Sequence, residues 1–274
     1  MYRIVASDMD QTFLGFEHEI PEANIVAIRR MRELGVTFVP ASGRAYGSIM
    51  GSLAPIADLL QGGYVISYNG NCITRVGDDA PLTFTEFPLE LARRVFAWGL
   101  EHADVGFHFY TLAGDCWGNR LSDDEIAYLA GHMDITPFDG DSLDFLEGVP
   151  LAKMLMVNPD LAYLHEVQAA MPPELYAGST TTFSSGRYLE FNPVGVSKAA
   201  GVRALAEHLG VPMDEVICCG DAANDADMLE AAGLGVVVSN ATPDVVAIAD
   251  YQAQASCSDG ILAEVLERFL EPRA

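Results

Sequence analysis

The feature that most constrains this chain is a regular alternation of short apolar, β-branched runs with amphipathic stretches. In the first third, residues 2–7, 36–40 and 64–67 predict strands, and residues 22–34 carry apolar side chains at helical spacing. Strands that alternate with helices form a mostly parallel sheet with helices on both faces. The sequence therefore predicts an α/β fold with a Rossmann-like, doubly wound parallel sheet as its core.

The last third repeats this alternation, whereas the middle of the chain has a different character. The last third predicts two strands (216–219, 235–238) and three helices (197–209, 225–232, 261–270). The middle mixes helices (89–102, 123–133, 161–170) with strand-like runs (105–111, 152–157, 188–191). We interpret the middle as an α+β domain inserted into the first, with residues 1–82 and 190–274 forming the core and 83–189 the insertion.

The charge of the chain limits its partners. Lys and Arg number 15 against 39 Asp and Glu, a formal net charge of −24. Nucleic-acid binding is disfavoured because it depends on neutralising phosphates with Lys and Arg. Most of the acidity indicates a soluble, self-repelling surface. An anionic ligand would therefore need local help from placed cations, helix N-termini or a metal ion.

Membrane and secretory signals are weak in this sequence. No segment approaches the roughly 18 uninterrupted apolar residues of a membrane span, and the N-terminal MYRIVASDMD does not resemble a signal peptide. The five cysteines form no C-x-x-C pair, and Cys218 and Cys219 lie together in an apolar run. These features favour a reducing compartment. We expect a cytoplasmic protein with no membrane contact, and the sequence leaves its oligomeric state open.

Polar residues follow three of the predicted core strands, at the ends where open α/β sheets bind ligands. They are Asp8 and Asp10 after the first strand, Ser42 and Gly43 after the second, and Asp221, Asn224 and Asp225 after the strand at 216–219. Each aspartate alone is equally compatible with a helix cap or an Asx-turn. In an extended chain, however, two carboxylates at i and i+2 project to the same side. Four carboxylates without paired His or Cys suit a hard cation such as Mg²⁺.

Two further residues are candidates for binding an anion. Ser42 either caps the helix that follows it or, with backbone N–H groups at the helix start, forms an anion site. Lys198 lies at the N-terminal end of the helix predicted at 197–209. It is either a solvated surface lysine or a functional one, and the helix dipole mildly disfavours a cation there.

Four segments, in order, carry a family resemblance: Asp8-Met9-Asp10-Gln11-Thr12, Ala41-Ser42-Gly43-Arg44, Gly195-Val196-Ser197-Lys198 and Gly220-Asp221-Ala222-Ala223-Asn224-Asp225. They resemble the four motifs of the haloacid dehalogenase (HAD) superfamily, in particular its Cof-type phosphatases. The resemblance covers residues 1–82 and 190–274. One departure is Gln11, which stands where the first motif, D-x-D-G-T, usually has glycine and which puts the turn after Asp10 in question.

The resemblance implies roles for the carboxylates. Asp8 would attack phosphorus and form an aspartyl-phosphate. Asp10 would protonate the leaving oxygen and then take a proton from the hydrolytic water. Mg²⁺ would be held by Asp8, the backbone carbonyl of Asp10, Asp221, and Asp225 directly or through water.

The resemblance also implies how phosphate is bound. Ser42, Gly43 and Lys198 would hold the phosphoryl oxygens, with Ser42 and Lys198 acting in catalysis, and Asn224 would orient groups nearby. The expected substrate is a small-molecule phosphate monoester, with sugar phosphates, nucleotides and cofactor phosphates all open.

The insertion resembles a type 2 cap, which in this superfamily selects the leaving group. Its side chains with chemistry suited to substrate contact are His108, Tyr110, Trp117, Lys153 and Arg187, although each is more often a packing or surface residue. The alternatives for the whole protein are a phosphomutase of the same fold and a non-catalytic binding or regulatory protein. A halide-releasing dehalogenase fits poorly because that chemistry requires neither Asp10 nor the Asp221/Asp225 pair.

Overall fold

The computed structural model describes residues 1–130 and 133–271, and these form two units. The core unit contains residues 1–84 and the chain from Ser197 onward, and the inserted unit is Thr85–Val196. The strands, in chain order, are β1 (Ile4–Ser7), β2 (Thr37–Pro40), β3 (Tyr64–Ser67), β4 (Cys72–Arg75), β5 (Thr83–Phe84), β6 (Gly106–Thr111), β7 (Cys116–Asn119), β8 (Thr136–Pro137), β9 (Leu151–Val157), β10 (Ser179–Ser184), β11 (Tyr188–Pro193), β12 (Val216–Gly220), β13 (Leu234–Val237) and β14 (Tyr251–Gln252). The helices are α1 (Glu22–Glu33), α2 (Tyr46–Ser52), α3 (Ala57–Leu60), α4 (Leu89–Gly99), α5 (Asp123–Leu129), α6 (Leu161–Ala170), α7 (Pro173–Tyr176), α8 (Lys198–His208), α9 (Ala226–Ala231), α10 (Pro243–Val246) and α11 (Ile261–Val265), and a π-helical turn at Leu266–Leu270 follows α11.

The core unit is built on a five-stranded sheet in the order β14-β13-β12-β1-β2, and every neighbouring pair is parallel. The side chains of the central strand β1 alternate between two apolar clusters. Val5 packs with residues of α1 and α11, while Ile4 and Ala6 pack with residues of α8 and α9. Helices therefore cover both faces, and the predicted doubly wound α/β fold is confirmed.

The third predicted strand has its expected bounds but lies in a different sheet. β3 pairs antiparallel with β4, which pairs with β5, and one isolated bridge between Ala41 and Ile66 links it to the chain after β2. The antiparallel pairing of β4 follows from the turn at Asn69-Gly70, where both residues have positive φ, 57° and 95°. Such a turn returns the chain as an antiparallel partner.

The same turn packs closely against the start of α8. A Cβ atom on Gly70 would lie 2.0 Å from the carbonyl oxygen of Ser197, and one on Gly201 would lie 2.6 Å from the Cα of Gly70. Only glycine allows the two backbones to approach this far. The pair therefore sets the position of the first turn of α8, which carries Lys198.

We expect Gly201→Ala to lower the free energy of unfolding by about 1–3 kcal/mol because the added methyl group overpacks this contact. Gly47→Ala in α2 is the matched control, since a Cβ there meets nothing within 4 Å, and it should be neutral or stabilising by about 0.4–1 kcal/mol. Thermal melting of both variants checks this. Equal melting temperatures for the two would contradict the proposed close contact.

The inserted unit has its own six-stranded sheet, in the order β10-β11-β9-β6-β7-β8. One face of it packs against apolar residues of α4, α6 and α7. β11 pairs with both β9 and β10, so this strand belongs to the insertion. The boundary therefore lies at 196/197 rather than 189/190, and the first boundary lies at 84/85 rather than 82/83.

The helix predicted at 123–133 is shorter in the structure. Its observed part, α5, begins where Ser122 caps it by accepting a hydrogen bond from the amide of Glu125, and ends at Leu129. Residues 131–132 of that prediction lie outside the described residues. Along the part of the chain that the structure describes, no helix combines the length and apolar character needed to cross a bilayer.

Candidate active site

Three carboxylates meet at one edge of the core sheet. Asp8 follows β1 and Asp221 follows β12, and these two strands are parallel neighbours. The amide of Asp8 donates to the carbonyl of Cys219 at 2.9 Å, which fixes the start of the loop. Asp225 lies in a 3₁₀ turn, Ala223–Asp225, just beyond β12. One oxygen from each of these three side chains lies within 4.8 Å of the others.

A buried lysine lies between two of these carboxylates. The Nζ atom of Lys198 is 2.5 Å from Oδ1 of Asp8 and 2.6 Å from Oδ1 of Asp225. Lys198 is the first residue of α8, and its side chain is almost wholly buried. Together with Lys153 it makes up all the lysine in the sequence. The alternative of a solvated surface lysine is therefore wrong.

The remaining oxygens of the cluster are held by nearby hydrogen bonds. Oδ2 of Asp225 accepts from the amides of Asp221 at 3.0 Å and Ala222 at 3.3 Å. Oδ1 of Asp221 accepts from the hydroxyl of Thr12 at 2.8 Å. These contacts fix the orientation of both carboxylates before any ligand binds. Thr12 belongs to the first quoted segment, but no pattern in the sequence indicates its contact with Asp221.

Burial dominates the electrostatics of the cluster. It raises the pKa of Asp8 well above its ordinary value, although Lys198 opposes this effect. It also raises the pKa of Asp221 to about 6, with Asp225 as the next contributor. Burial alone would lower the pKa of Lys198, but the charges of Asp225 and Asp8 more than offset it and raise that pKa. Three carboxylates against one ammonium leave a local excess of negative charge.

The fourth predicted aspartate is not part of this cluster. Asp10 forms an ion pair with Arg44, and its Oδ1 lies 3.2 Å from Nδ1 of His18. The expectation of four converging carboxylates is thus wrong for the side chain of Asp10. The reason is local: β1 ends at Ser7, and the strand-like alternation assumed for residues 8 and 10 does not continue. His18 and Arg44 were not identified as partners of Asp10 from the sequence.

Gln11 takes the conformation that the usual glycine would take. Its φ is 58°, in the left-handed region that glycine enters at least cost. Its carbonyl accepts from the side-chain amide of Asn240 at 3.0 Å. The turn after Asp10 is therefore formed despite the substitution, with a residue that is uncommon in this conformation.

Ser42 and Gly43 lie after β2, the other parallel neighbour of β1. Ser42 is buried, and its hydroxyl accepts from the amide of Arg44 at 3.2 Å. The next helix begins at Tyr46 with Ala45 as its N-cap, so Ser42 does not cap it. A Cβ on Gly43 would lie 2.9 Å from Oδ1 of Asn69, which leaves little room for a side chain.

Asn224 lies in the 3₁₀ turn between Asp221 and Asp225 and is half-buried. Gly220, the last residue of β12, permits the tight packing of this turn, because a Cβ there would lie 2.5 Å from that of Asp225. Along the chain, Asn224 therefore lies next to Asp225 and three residues after Asp221.

The candidates in the inserted unit divide into two groups. Arg187 donates to Asp124 at 2.7 Å and to Glu125 at 2.8 Å, and it stacks over the ring of Tyr128 at 4.0 Å. Trp117 packs against Phe145 with ring centroids 4.9 Å apart. These contacts give both side chains a structural role within the unit.

His108, Tyr110 and Lys153 form the second group. His108 and Lys153 are buried, and Tyr110 is half-buried with the Nζ atom of Lys153 5.2 Å from its ring centroid. Burial lowers the pKa of His108 to about 3, with the charge of Lys153 as the smaller cause. His108 is therefore neutral at physiological pH, and its 3.5 Å approach to Glu125 is not an ion pair.

Comparison with known proteins agrees with this geometry. A family model described as haloacid dehalogenase-like hydrolase matches residues 5–265. The chain belongs to this family. An HMP-PP phosphatase of Serratia proteamaculans is 31% identical over 277 residues, covering 98% of this chain and 96% of that protein. An HMP-PP phosphatase of Cronobacter sakazakii is 29% identical over 274 residues, covering 99% and 97%.

Solved structures give the same result. One of them is a protein of Bacteroides thetaiotaomicron from a study of phosphatases of the haloalkanoate superfamily. It superimposes on this chain with a TM-score of 0.83 at 26% sequence identity, and the match covers 98% of this chain and 95% of the other. Membership of the family and these relatives confirm the prediction that the chain is a phosphatase, a phosphoric monoester hydrolase.

Proposed function

We propose that this chain is a Mg²⁺-dependent phosphatase that hydrolyses a small-molecule phosphate monoester through an aspartyl-phosphate on Asp8. The observation that carries the proposal is the cluster of Asp8, Asp221, Asp225 and Lys198 at the edge of the core sheet. Such a site offers a nucleophilic carboxylate, a fixed cation and two further carboxylates within a few ångströms.

The donor set of the cluster fits Mg²⁺. Its ligand atoms are carboxylate oxygens, which hard cations prefer, and the excess negative charge matches a divalent cation. Asp8, Asp221 and Asp225 would hold the ion, together with the backbone carbonyl of Asp10. When bound, the ion neutralises charge between the attacking carboxylate and the phosphate and shields the charge that develops in the transition state.

The first step would be attack by Asp8. A carboxylate oxygen of Asp8 forms a bond to phosphorus while the bond from phosphorus to the ester oxygen breaks. Lys198 favours the ionised, nucleophilic form of Asp8. Its ammonium has three N–H donors, and with two directed to Asp8 and Asp225 the third can hold a phosphoryl oxygen. The Ser42 hydroxyl and the Gly43 backbone would bind the other oxygens, with Asn224 orienting groups beside them.

Asp10 would move the protons of both steps. It donates a proton to the leaving oxygen, which departs as an alcohol. It then takes a proton from the water that attacks phosphorus, which releases inorganic phosphate and restores the Asp8 carboxylate. The contacts of Asp10 with Arg44 and His18 would hold it outside the carboxylate cluster between these steps.

The inserted unit would select the leaving group. Its sheet has an apolar face covered by helices and an opposite face that carries buried polar side chains, including His108, Lys153 and Glu190. A phosphomutase of the same fold would use the same core residues. Release of inorganic phosphate separates hydrolysis from transfer to a second substrate.

The test measures phosphate release from p-nitrophenyl phosphate and from a panel of natural esters, with millimolar Mg²⁺ or with EDTA. We expect turnover only with Mg²⁺. A ligand at about 100 times its Kd raises the free energy of unfolding by about 2.7 kcal/mol. At about 2–4 °C per kcal/mol, Mg²⁺ should therefore raise the melting temperature of the wild type by roughly 5–10 °C.

Asp221→Asn should lose most of this Mg²⁺ shift, since it removes one ligand while keeping an acceptor for Thr12. Asp227→Asn is the matched control, because it removes an exposed charge on α9, and it should respond to Mg²⁺ like the wild type. Full activity after exhaustive chelation, or the same Mg²⁺ shift in Asp221→Asn as in the wild type, would contradict the placement of the ion.

A further inference from the structure

The turn that follows Asp10 contains a residue in an uncommon conformation. Gln11 has a φ of 58°, in the left-handed region that only glycine enters without a steric cost. Its side chain is exposed, so it buries little surface that could offset this cost. The conformation of Gln11 therefore depends on the contacts that the backbone of the turn makes with the rest of the core unit.

The backbone of this turn is held both from within and from outside. Two internal hydrogen bonds close it, from the amides of Phe13 and Leu14 to the carbonyls of the two residues that follow β1, at 3.3 Å and 2.8 Å. Neither bond uses the carbonyl of Gln11. That carbonyl accepts instead from Nδ2 of Asn240 at 3.0 Å, and Asn240 lies in the loop after β13.

Asn240 is itself held in one orientation. Its Oδ1 accepts from the amide of Cys257 at 2.8 Å, so its amide nitrogen faces the carbonyl of Gln11. Further along the same loop, the amide of Thr242 donates to the carbonyl of Asp221 at 2.8 Å. The loop after β13 therefore contacts both the turn after β1 and the loop after β12, and these two segments contribute carboxylates to the candidate active site.

The peptide group that Asn240 contacts lies between two residues of the site. Asp10 precedes Gln11, and Thr12 follows it. The hydroxyl of Thr12 donates to Oδ1 of Asp221 at 2.8 Å. Because a peptide unit is planar, rotation of Gln11 out of the left-handed region would move both of its neighbours. A displacement of about 1 Å at a reacting group costs on the order of 100-fold in rate.

We propose that Asn240 is a positioning residue for the phosphatase reaction, which holds Gln11 in the conformation that places Asp10 and Thr12. This inference rests on the proposed function. The hydrogen bond from Asn240 supplies what glycine would supply at position 11, because glycine adopts the same φ without a steric cost. The groups proposed to bind phosphate lie on other elements, so loss of this hydrogen bond should lower kcat and leave KM almost unchanged.

The first experiment removes the donor and measures hydrolysis of p-nitrophenyl phosphate with millimolar Mg²⁺. Asn240→Ala should lower kcat about 10–100-fold and leave KM within about threefold of the wild type. Asn240→Asp, which keeps an acceptor for Cys257 but lacks the donor, should lose as much. Asn158→Asp in the inserted unit is the matched control, because Asn158 donates to the carbonyl of Asp104 and accepts from the amide of Asp160, both at 2.7 Å. This control should keep both kinetic constants.

A second background tests whether Asn240 acts through the turn. Gln11→Gly places the usual glycine at this position, so the turn should no longer depend on the hydrogen bond from Asn240. The factor by which Asn240→Ala lowers kcat should therefore be at least about fivefold smaller in Gln11→Gly than in the wild type, which is a coupling between the two positions. A residue that only stabilised its own loop would cost the same factor in both backgrounds.

Hydrogen exchange gives a readout that does not require activity. The amides of Phe13 and Leu14, which close the turn, should exchange at least about tenfold faster in Asn240→Ala than in the wild type, because the turn opens more often. Asn158→Asp should leave their exchange unchanged.

The outcomes distinguish this inference from the proposed function. An active wild type whose kcat survives in Asn240→Ala, or an equal loss of kcat in the Gln11→Gly background, would overturn the inference alone. Unchanged exchange of the turn in Asn240→Ala would also overturn it, whatever the activity of the wild type. A wild type that releases phosphate from no ester would overturn the proposed function and the catalytic part of this inference. If Asn240→Ala does not fold, Asn240→Asp is used for the same comparisons.

Discussion

Asp8→Asn is expected to lower kcat/KM for phosphate-ester hydrolysis by at least ~10⁴-fold, as loss of a nucleophile does in other enzymes with covalent intermediates. An amide oxygen is a far weaker nucleophile than a carboxylate, and no neighbouring carboxylate among the described residues occupies the same position at the end of β1. Lys198 keeps its pair with Asp225 in this variant, so the protein should remain folded. Steady-state kinetics and thermal melting measure the two effects separately.

Asp10→Asn provides the comparison for this prediction. It should retain a slow first step, because general acid–base catalysis contributes about 10²–10⁴-fold, and it should remain measurably above Asp8→Asn. If Asp8→Asn kept more than about 1% of wild-type kcat/KM, a value well above that expected for loss of a nucleophile, the assignment of Asp8 would be wrong.

Lys198→Met is expected to destabilise the core more than any other single change at the site. Removing one partner of a buried ion pair costs about 3–5 kcal/mol, because it leaves uncompensated charge in the interior. Asp8 and Asp225 would both lose their contact with the ammonium. For a chain of this size the melting temperature should fall by roughly 6–20 °C, and phosphatase activity should be lost with the phosphate-binding cation.

Two further variants make this prediction specific to charge. The double variant Lys198→Met/Asp225→Asn should melt higher than Lys198→Met alone, because one of the two carboxylates left without the ammonium is gone. Lys153→Met, which removes the other buried lysine and its pair with Glu190, should also melt lower but keep activity on phenyl phosphate. A melting temperature for Lys198→Met close to that of the wild type would mean that the ion pair contributes little.

The sequence was sufficient to predict the parts of the site that regular strands determine. Asp8 and Asp221 follow neighbouring parallel strands, and the ends of such strands meet at one edge of the sheet. Because the strand lengths follow from short apolar runs, the bounds of β3 and β12 came within one residue. Lys198 was identified because a cation at a helix N-terminus has no local structural reason to be there.

The side chain of Asp10 could not be placed from the sequence because its position depends on nonlocal partners. Side chains alternate between the two sides of the chain only while the backbone stays extended. The backbone is no longer extended at the turn at Gln11. The partners that hold Asp10, His18 and Arg44, come from different loops. Their approach is a result of the fold and has no periodic signal in the sequence.

The end of the inserted unit was missed for a related reason. Residues 188–191 predict a strand, but which sheet it joins depends on pairing with β9 and β10, and no local pattern encodes that.

We propose that catalysis passes through a phosphoryl group bonded to Asp8. The most direct measurement mixes Asp10→Asn with excess substrate and Mg²⁺, quenches the reaction with acid and locates the phosphoryl group by peptide mass spectrometry. Slow hydrolysis of the intermediate in this variant should leave close to one phosphoryl group per chain, attached to Asp8 and lost in Asp8→Asn/Asp10→Asn. Phosphate release with no trapped phosphoryl group on the chain, or a phosphoryl group attached to Ser42, would contradict the account.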